Sequence, residues 1–409
     1  MRAGRIRGTD VGSGVVSLTF ARGESLRSDV RRARLVIVGA GPHALTIAAH
    51  FVAADRSLTD DLVVIDPSGT WMHAWRRALA ALEIEHLRSP VVHHPHPDPY
   101  GLLAFARTHR RSPELHGKYQ TPGSRLFDDF CNHVVDEFAL GGTVMPGTVT
   151  AVDPGGLVTY CVDRGRRTER VHGDQVVFAQ QPRRAVRPDV GSPPGDRRHR
   201  HATDVDLDAV GAGDHVAIVG GGLTAGHLAC GAARRGATAD VVVRRPVVER
   251  EFDTDPGWLG PREMRAFLDT KCLEARARLA VEARGGGSMP GWMLSRLRDL
   301  AAAGRVRIRC LDGNERISDL TTDAHHVWYA TGWVTDPLGD PVLGPLVEDS
   351  GCRTVGDLLV LGGRLELPGT AVHVVGRPAT LHLGPTAGNL AGARRAAALL
   401  AGRDPDDIC

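Results

Sequence analysis

Lysine is nearly missing from this 409-residue sequence: Lys118 and Lys271 are the only two, so arginine supplies almost all of the 50 basic residues. We read that bias as the composition of a GC-rich bacterial genome. It does not mark a polyanion-binding surface, because 48 acidic residues leave a net charge of only +2. Neither a nucleic-acid partner nor a membrane partner is therefore expected. Long apolar runs are lacking too. None reaches the ~18 residues that a membrane-spanning helix needs, and the N-terminus lacks the apolar core of a secretory signal. Cysteines at dithiol spacing are absent: the seven are scattered, odd in number and never form C-x-x-C. This fits inert thiols in a reducing cytoplasm and moves dithiol-reductase chemistry out of the first rank.

What is present is a patterned α/β chain. Leu35 to Val38 is an apolar run that reads as a buried parallel strand. Gly39-Ala-Gly41 follows, and Ala44 stands where the third small residue of a G-x-G-x-x-G/A fingerprint belongs. Gly39 permits a tight turn, Gly41 lets a pyrophosphate approach the backbone, and Ala44 lets the following helix pack closely on the strand. A second strand, Leu62 to Ile65, ends in Asp66, which is placed to bind a ribose hydroxyl.

The pattern returns downstream. His215 to Val219 reads as a strand, and Gly220, Gly222 and Ala225 fill the three small positions. The next strand, Ala239 to Val243, ends in Arg244-Arg245 instead of an acid. Guanidinium groups pair with a 2′-phosphate that an acid would repel, so this site is expected to prefer NADPH. Residues 1–33, without helical period, are expected to be a flexible tail. The expected domains are 34–200 and 331–409 for the first dinucleotide and 201–330 for the second. Helices are expected over 261–280, 294–303 and 383–398.

Between the first strand–helix–strand unit and residue 125 the chain is rich in proline, histidine and aromatics. The prolines of Leu87 to Tyr100 forbid a regular helix or central strand there. His73, His86, His93, His94 and His96 are dense, but no supporting carboxylate or thiol spacing accompanies them, and adjacent residues of an extended chain point apart. No metal site is expected. His93 and His94 are instead candidates for a substrate pocket, together with Asp253 and Trp258 from the irregular stretch after the second fingerprint.

Two fingerprints about 180 residues apart, with Ala330-Thr331-Gly332 after a strand, resemble the two-dinucleotide-binding-domain flavoproteins. Gly69-Thr-Trp71, the long segment through Leu87, Pro122 to Phe130 and Leu383 to Ala393 resemble most the class B flavin monooxygenases, in their N-hydroxylating ornithine and lysine branch. The resemblance covers roughly residues 34–400. It implies two Rossmann-like domains, the NADPH domain inserted into the FAD domain, with FAD at Gly39 to Asp66 and NADPH at Gly220 to Arg245. It implies an FAD- and NADPH-dependent monooxygenase that forms a flavin C4a-hydroperoxide and oxygenates a nitrogen of a small amine or amino-acid-like substrate with dioxygen. Thr331 and Gly332 would carry the chain back to the FAD domain. Gly384, Thr386 and Asn389 would meet the flavin, and Trp71 and Trp75 would wall its ring. The pattern also departs from the family: Gln180-Gln181 replaces Thr-Gly after Ala179, the F-x-G-x-x-x-H motif is absent, and no amino-acid-binding set is matched. Oxygenation at sulfur or carbon, an FAD/NADPH reductase and a redox-sensing protein without turnover stay open, as does a homo-oligomer.

Overall fold

The computed structural model describes residues 30–189, 195–312 and 315–404. Most of the expected tail, up to residue 29, lies outside them, as do residues 405–409. Arg31 already belongs to the first strand, β1 (Arg31–Val38), so residues 31–33, expected in the tail, are strand. The second half of β1 is buried on both faces, as a central parallel strand must be.

The first sheet grows around β1. Helix α1 (Pro42–Ala54) crosses to β2 (Leu62–Asp66), which pairs parallel with β1 and with β3 (Val144–Pro146). The chain then moves to the other side of β1. It runs through the antiparallel strands β4 (Thr148–Val152) and β5 (Leu157–Val162) into the long β6 (Arg167–Phe178). The upper half of β6 pairs parallel with β1, Val38 opposite Phe178. Strand order therefore reverses between β1 and β6, and the crevice at their C-terminal ends is a topological switch point.

Two helices flank the proline run: α2 (His73–Ala81) and α3 (Gly101–Thr108). Helix α4 (Ser124–Glu137) buries Leu126, Phe127, Phe130 and Val134 at helical spacing. The proline run itself has no regular structure.

A short strand, β7 (Arg183–Ala185), leaves the first sheet. The second sheet follows: β8 (His199–His201), β9 (His215–Val219), α5 (Leu223–Arg234), β10 (Thr238–Val243), β11 (Val306–Cys310) and β12 (His326–Tyr329). Its order is β8-β12-β9-β10-β11, all parallel. Strand β13 (Trp333–Thr335) pairs antiparallel with β7. This two-stranded ribbon joins the sheets, and β14 (Val372–Val374) then returns to β6. The second sheet is thus inserted into the first.

Three helices differ from expectation. The run 261–280 is two helices, α6 (Pro261–Asp269) and α7 (Leu273–Arg284). Arg276 of α7 donates to Leu268 O and Thr270 O, satisfying carbonyls at the end of α6 and fixing the break. Helix α8 (Gly291–Ala302) begins earlier than position 294. The last long helix, α9 (Leu390–Leu400), begins at 390, not 383. Gly384 holds a left-handed φ of +74°, and Asn389 Oδ1 accepts from Ala391 N and Gly392 N, a side-chain cap that sets the start.

Candidate active site

The two glycine turns have the same sequence pattern and different surroundings. At the first, Gly39 is at φ +96° and its N–H donates to Ile65 O. A methyl group placed on Gly41 would meet nothing within 4 Å. That open space, ahead of the bare N–H groups of α1, suits a pyrophosphate. Ala44 is fully buried. Asp66, at the end of β2, accepts Ala40 N (3.1 Å) with Oδ2 and Ser68 N (2.9 Å) with Oδ1, so the acid also braces the turn.

At the second turn Gly220 is at φ +144° and packs against Ala330 O, and Ala225 is fully buried. Here the space in front is filled. Gly287, the last residue of the Gly285-Gly286-Gly287 segment, lies against Gly221 and Gly222, and a methyl on it would stand 3.2 Å from Gly222 N. Arginines hold that segment in place. Arg245 donates to Gly285 O (2.7 Å), Arg250 to Arg284 O (3.1 Å), and Arg88 to Ser288 Oγ (3.0 Å). The expected pair therefore divides: Arg245 is bonded to the covering segment, while Arg244 is exposed at the end of β10.

The residues expected at the flavin also divide. Thr386 is buried and Gly384 packs on Met264 Sδ. Asn389 uses its side-chain oxygen to cap α9, which leaves only its amide NH₂ for a further contact. Thr331 donates to Val186 O, and Gly332 O accepts from Val186 N and His201 Nε2, so both stabilise the connecting ribbon. Trp71 is core: its Nε1–H donates to Leu140 O (3.0 Å). Trp75 packs on Phe127, ring centres 5.2 Å apart, and borders an open groove with Leu79 and Arg125. Neither tryptophan lines the cavity beside Thr386.

That cavity has a volume of about 180 Å³. His93 and Val92 of the proline run, Trp258, Met264, Thr386 and Arg394 are among its walls. Two of the four substrate-pocket candidates, His93 and Trp258, thus come together from distant parts of the chain. Burial lowers the pKa of His93 to about 4, with Arg394 adding to the effect. The other two candidates are not among its walls. His94 is fully buried, donates to Pro99 O (3.1 Å) and meets Phe130 edge-on: it is a core residue. Asp253 pairs with Arg284 (3.1 Å), which also donates to Pro385 O. Among the described residues no group of three His, Cys, Asp or Glu could hold a metal ion. No helix among them is long and apolar enough to cross a membrane.

Sequence reading missed several residues here. His43, inside the first fingerprint, donates to Ala387 O (3.1 Å) and ties α1 to the 384–389 turn. Arg88 donates to Glu251 O (2.9 Å) and Arg250 O (2.7 Å) as well as to Ser288, bolting the proline run onto the second-sheet region. Its position directly before Ser89-Pro90 was the one available signal. In so arginine-rich a chain that signal is faint.

Residues 36–181 match the family described as FAD-NAD(P)-binding. A comparison with curated protein sequences gives no match. Solved structures match over nearly the whole length. A cadaverine monooxygenase of the desferrioxamine pathway of Erwinia amylovora is 15% identical, with TM-score 0.69, over 91% of this chain and 95% of that one. The ornithine hydroxylase of Pseudomonas aeruginosa is 16% identical, TM-score 0.69, over 91% and 98%. The ornithine N-hydroxylase of Kutzneria sp. 744 is 16% identical, TM-score 0.67, over 91% and 98%. The fold is that of two-dinucleotide-binding-domain flavoproteins, as the fingerprints implied. Within that group it is shared with N-hydroxylating flavin monooxygenases.

Proposed function

We propose that the chain is an FAD- and NADPH-dependent monooxygenase that oxygenates a nitrogen of a small amine or amino-acid-like substrate. The observation that carries this reading is the cavity between His93, Trp258 and Thr386, set against the 384–389 turn of the FAD-type sheet. At about 180 Å³ it is below the roughly 300–1,000 Å³ of pockets for drug-sized ligands, which fits a small substrate.

Gly41, the N-terminus of α1 and Asp66 would hold FAD. Gly222 and Arg244 would hold NADPH once the covering segment moves. The flavin, when bound, supplies hydride acceptance and dioxygen activation. The protein's part is to deliver a nucleophilic substrate and to exclude water. An aliphatic ammonium has no lone pair, so the amine must enter neutral although its ordinary pKa is about 10. The apolar walls of Val92, Trp258 and Met264 desolvate it, and Arg394 and Arg395 disfavour a further cation. His93, with its pKa near 4, is too weak a base to keep the proton. It stays a neutral wall and hydrogen-bond partner.

The test is a screen of small amines and amino acids for substrate-stimulated NADPH oxidation, with products weighed for the gain of one oxygen atom. Protein that cannot be loaded with FAD, or that reduces FAD yet adds oxygen to no amine, sinks the reading. Dithiol reduction would need a cysteine pair that the sequence does not offer at close spacing, and the six described cysteines are free thiols.

A further inference from the structure

A second, smaller cavity borders the same turn on the side of the connecting ribbon. Its volume is about 130 Å³, and Gln181, Arg183, Trp333, Arg377 and Gly388 line it. No lining residue is acidic. Arg183 sits over the Trp333 ring, its guanidinium carbon 4.3 Å from the ring centre, a cation–π contact that holds the side chain at the recess. The stem of Arg377 packs on Gly388. Among the described residues neither guanidinium has an ion pair or a hydrogen-bond acceptor. Asp336, the nearest acid along the ribbon, pairs with Arg184 (3.4 Å), and Asp253 pairs with Arg284. The third donor is Gln181. Its Oε1 accepts Arg377 N (3.2 Å), while its Nε2 is buried without a partner.

Two guanidiniums without an acceptor and an amide NH₂ without a partner, on three residues that line one recess, are chemistry suited to an oxyanion. The desolvation of both arginines, which lowers their pKa values, agrees in direction. We infer that Arg183, Arg377 and Gln181 form an oxyanion pocket that takes the carboxylate or phosphate group of a small ligand. The recess is too small for a whole nucleotide and large enough for one such group on a short stem. It opens where β6 and β14 end, so the ligand's charged end would be anchored at the rim of the dinucleotide crevice. Anion binding here does not rest on oxygen transfer and is read without turnover.

The experiment uses FAD-loaded protein and compares potassium phosphate and potassium acetate with potassium chloride at equal ionic strength, reading the melting temperature. Either oxyanion should stabilise the wild type beyond chloride. The double variant Arg183→Gln, Arg377→Gln should lose that difference, and the Arg183→Lys, Arg377→Lys variant, which keeps the charge, should retain part of it. Calorimetric titration then separates the sources. If the group is a carboxylate, the Gln variant binds ornithine about tenfold or more weakly and leaves putrescine unchanged, by loss of charge-assisted bonds. If it is a phosphate, the loss falls on NADP⁺ instead. Phosphate and acetate no better than chloride in the wild type overturn the inference. So does stabilisation that survives unchanged in the Gln variant.

Discussion

Gly287 lies against Gly222, with the place of a Gly287 methyl 3.2 Å from the Gly222 nitrogen and 3.3 Å from its Cα, whereas the corresponding Gly41 faces open space. One fingerprint stands ready and its twin is covered. Glycine substitutions should therefore act differently at the two turns. Gly41→Ala fits the folded chain, because φ −86° suits any residue and nothing obstructs the methyl. It should leave the melting temperature of FAD-free protein unchanged and weaken FAD retention about tenfold by blocking close approach of the phosphates. Gly287→Ala should instead cost about 1 kcal/mol of stability, as overpacking does. Comparing apo-protein melts with the flavin-to-protein absorbance ratio checks both.

Arg244 and Arg245 are neighbours with different attachments, and their variants should separate. Arg244 is exposed with no role in the fold that the structure shows. Arg244→Ala should raise the KM for NADPH roughly tenfold and leave that for NADH unaltered, the signature of a lost 2′-phosphate contact. Arg245 donates to Gly285 O and so helps hold the segment over Gly222. Arg245→Ala should also loosen that segment, which makes KM for NADH fall. Equal effects of both variants on both coenzymes would refute the division.

This division shows how far the sequence could be read. The strand–glycine–helix units were legible because each step has a local cause: an apolar run, a residue without Cβ, a small residue for close packing. His93 and Trp258 were legible as unusual residues in irregular stretches. What joins them was not, because the cavity forms only when α6, α9 and the proline run pack together. His94 shows the same limit. It sits beside His93 and is equally unusual, yet its ring turns into the core against Phe130. Arg183 and Arg377 had no local signal and that of Arg88 was faint, since arginine is everywhere in this chain. Their roles come from which carbonyls, rings or cavities face them after folding.

Acid should destabilise the protein through its buried and half-buried histidines. His382 Nε2 accepts a hydrogen bond from Leu361 N (3.0 Å), which requires a neutral ring, and burial lowers its pKa to about 4. His93 is lowered to about 4, and His94 and His50 to about 3, again with burial as the main cause. An unfolded histidine titrates near ~6.5. Between those values the unfolded chain binds more protons, so stability is complete above about pH 6.5 and falls as the pH drops towards 4. The urea midpoint should decrease steadily across that window. His382→Gln, whose amide oxygen can still accept from Leu361 N, should make the decline shallower. A midpoint flat from pH 7 to pH 4.5 contradicts the burial of these rings.

The cavity beside Thr386 makes the most direct claim about function. Ala391, on the first turn of α9, lines it without touching either glycine turn. Ala391→Leu should fill part of the space between His93 and Trp258. FAD retention and the rate of flavin reduction by NADPH should stay near wild type, since neither dinucleotide turn is altered. Substrate stimulation of NADPH oxidation should fall, with KM for the amine rising about tenfold or more for a pocket shortened by several methylene groups. Trp258→Ala should do the opposite in shape: it enlarges the cavity, weakens binding of the best short amine and shifts preference towards a longer one. If both variants oxidise NADPH with wild-type KM for the amine, the substrate binds elsewhere and the cavity is packing space only.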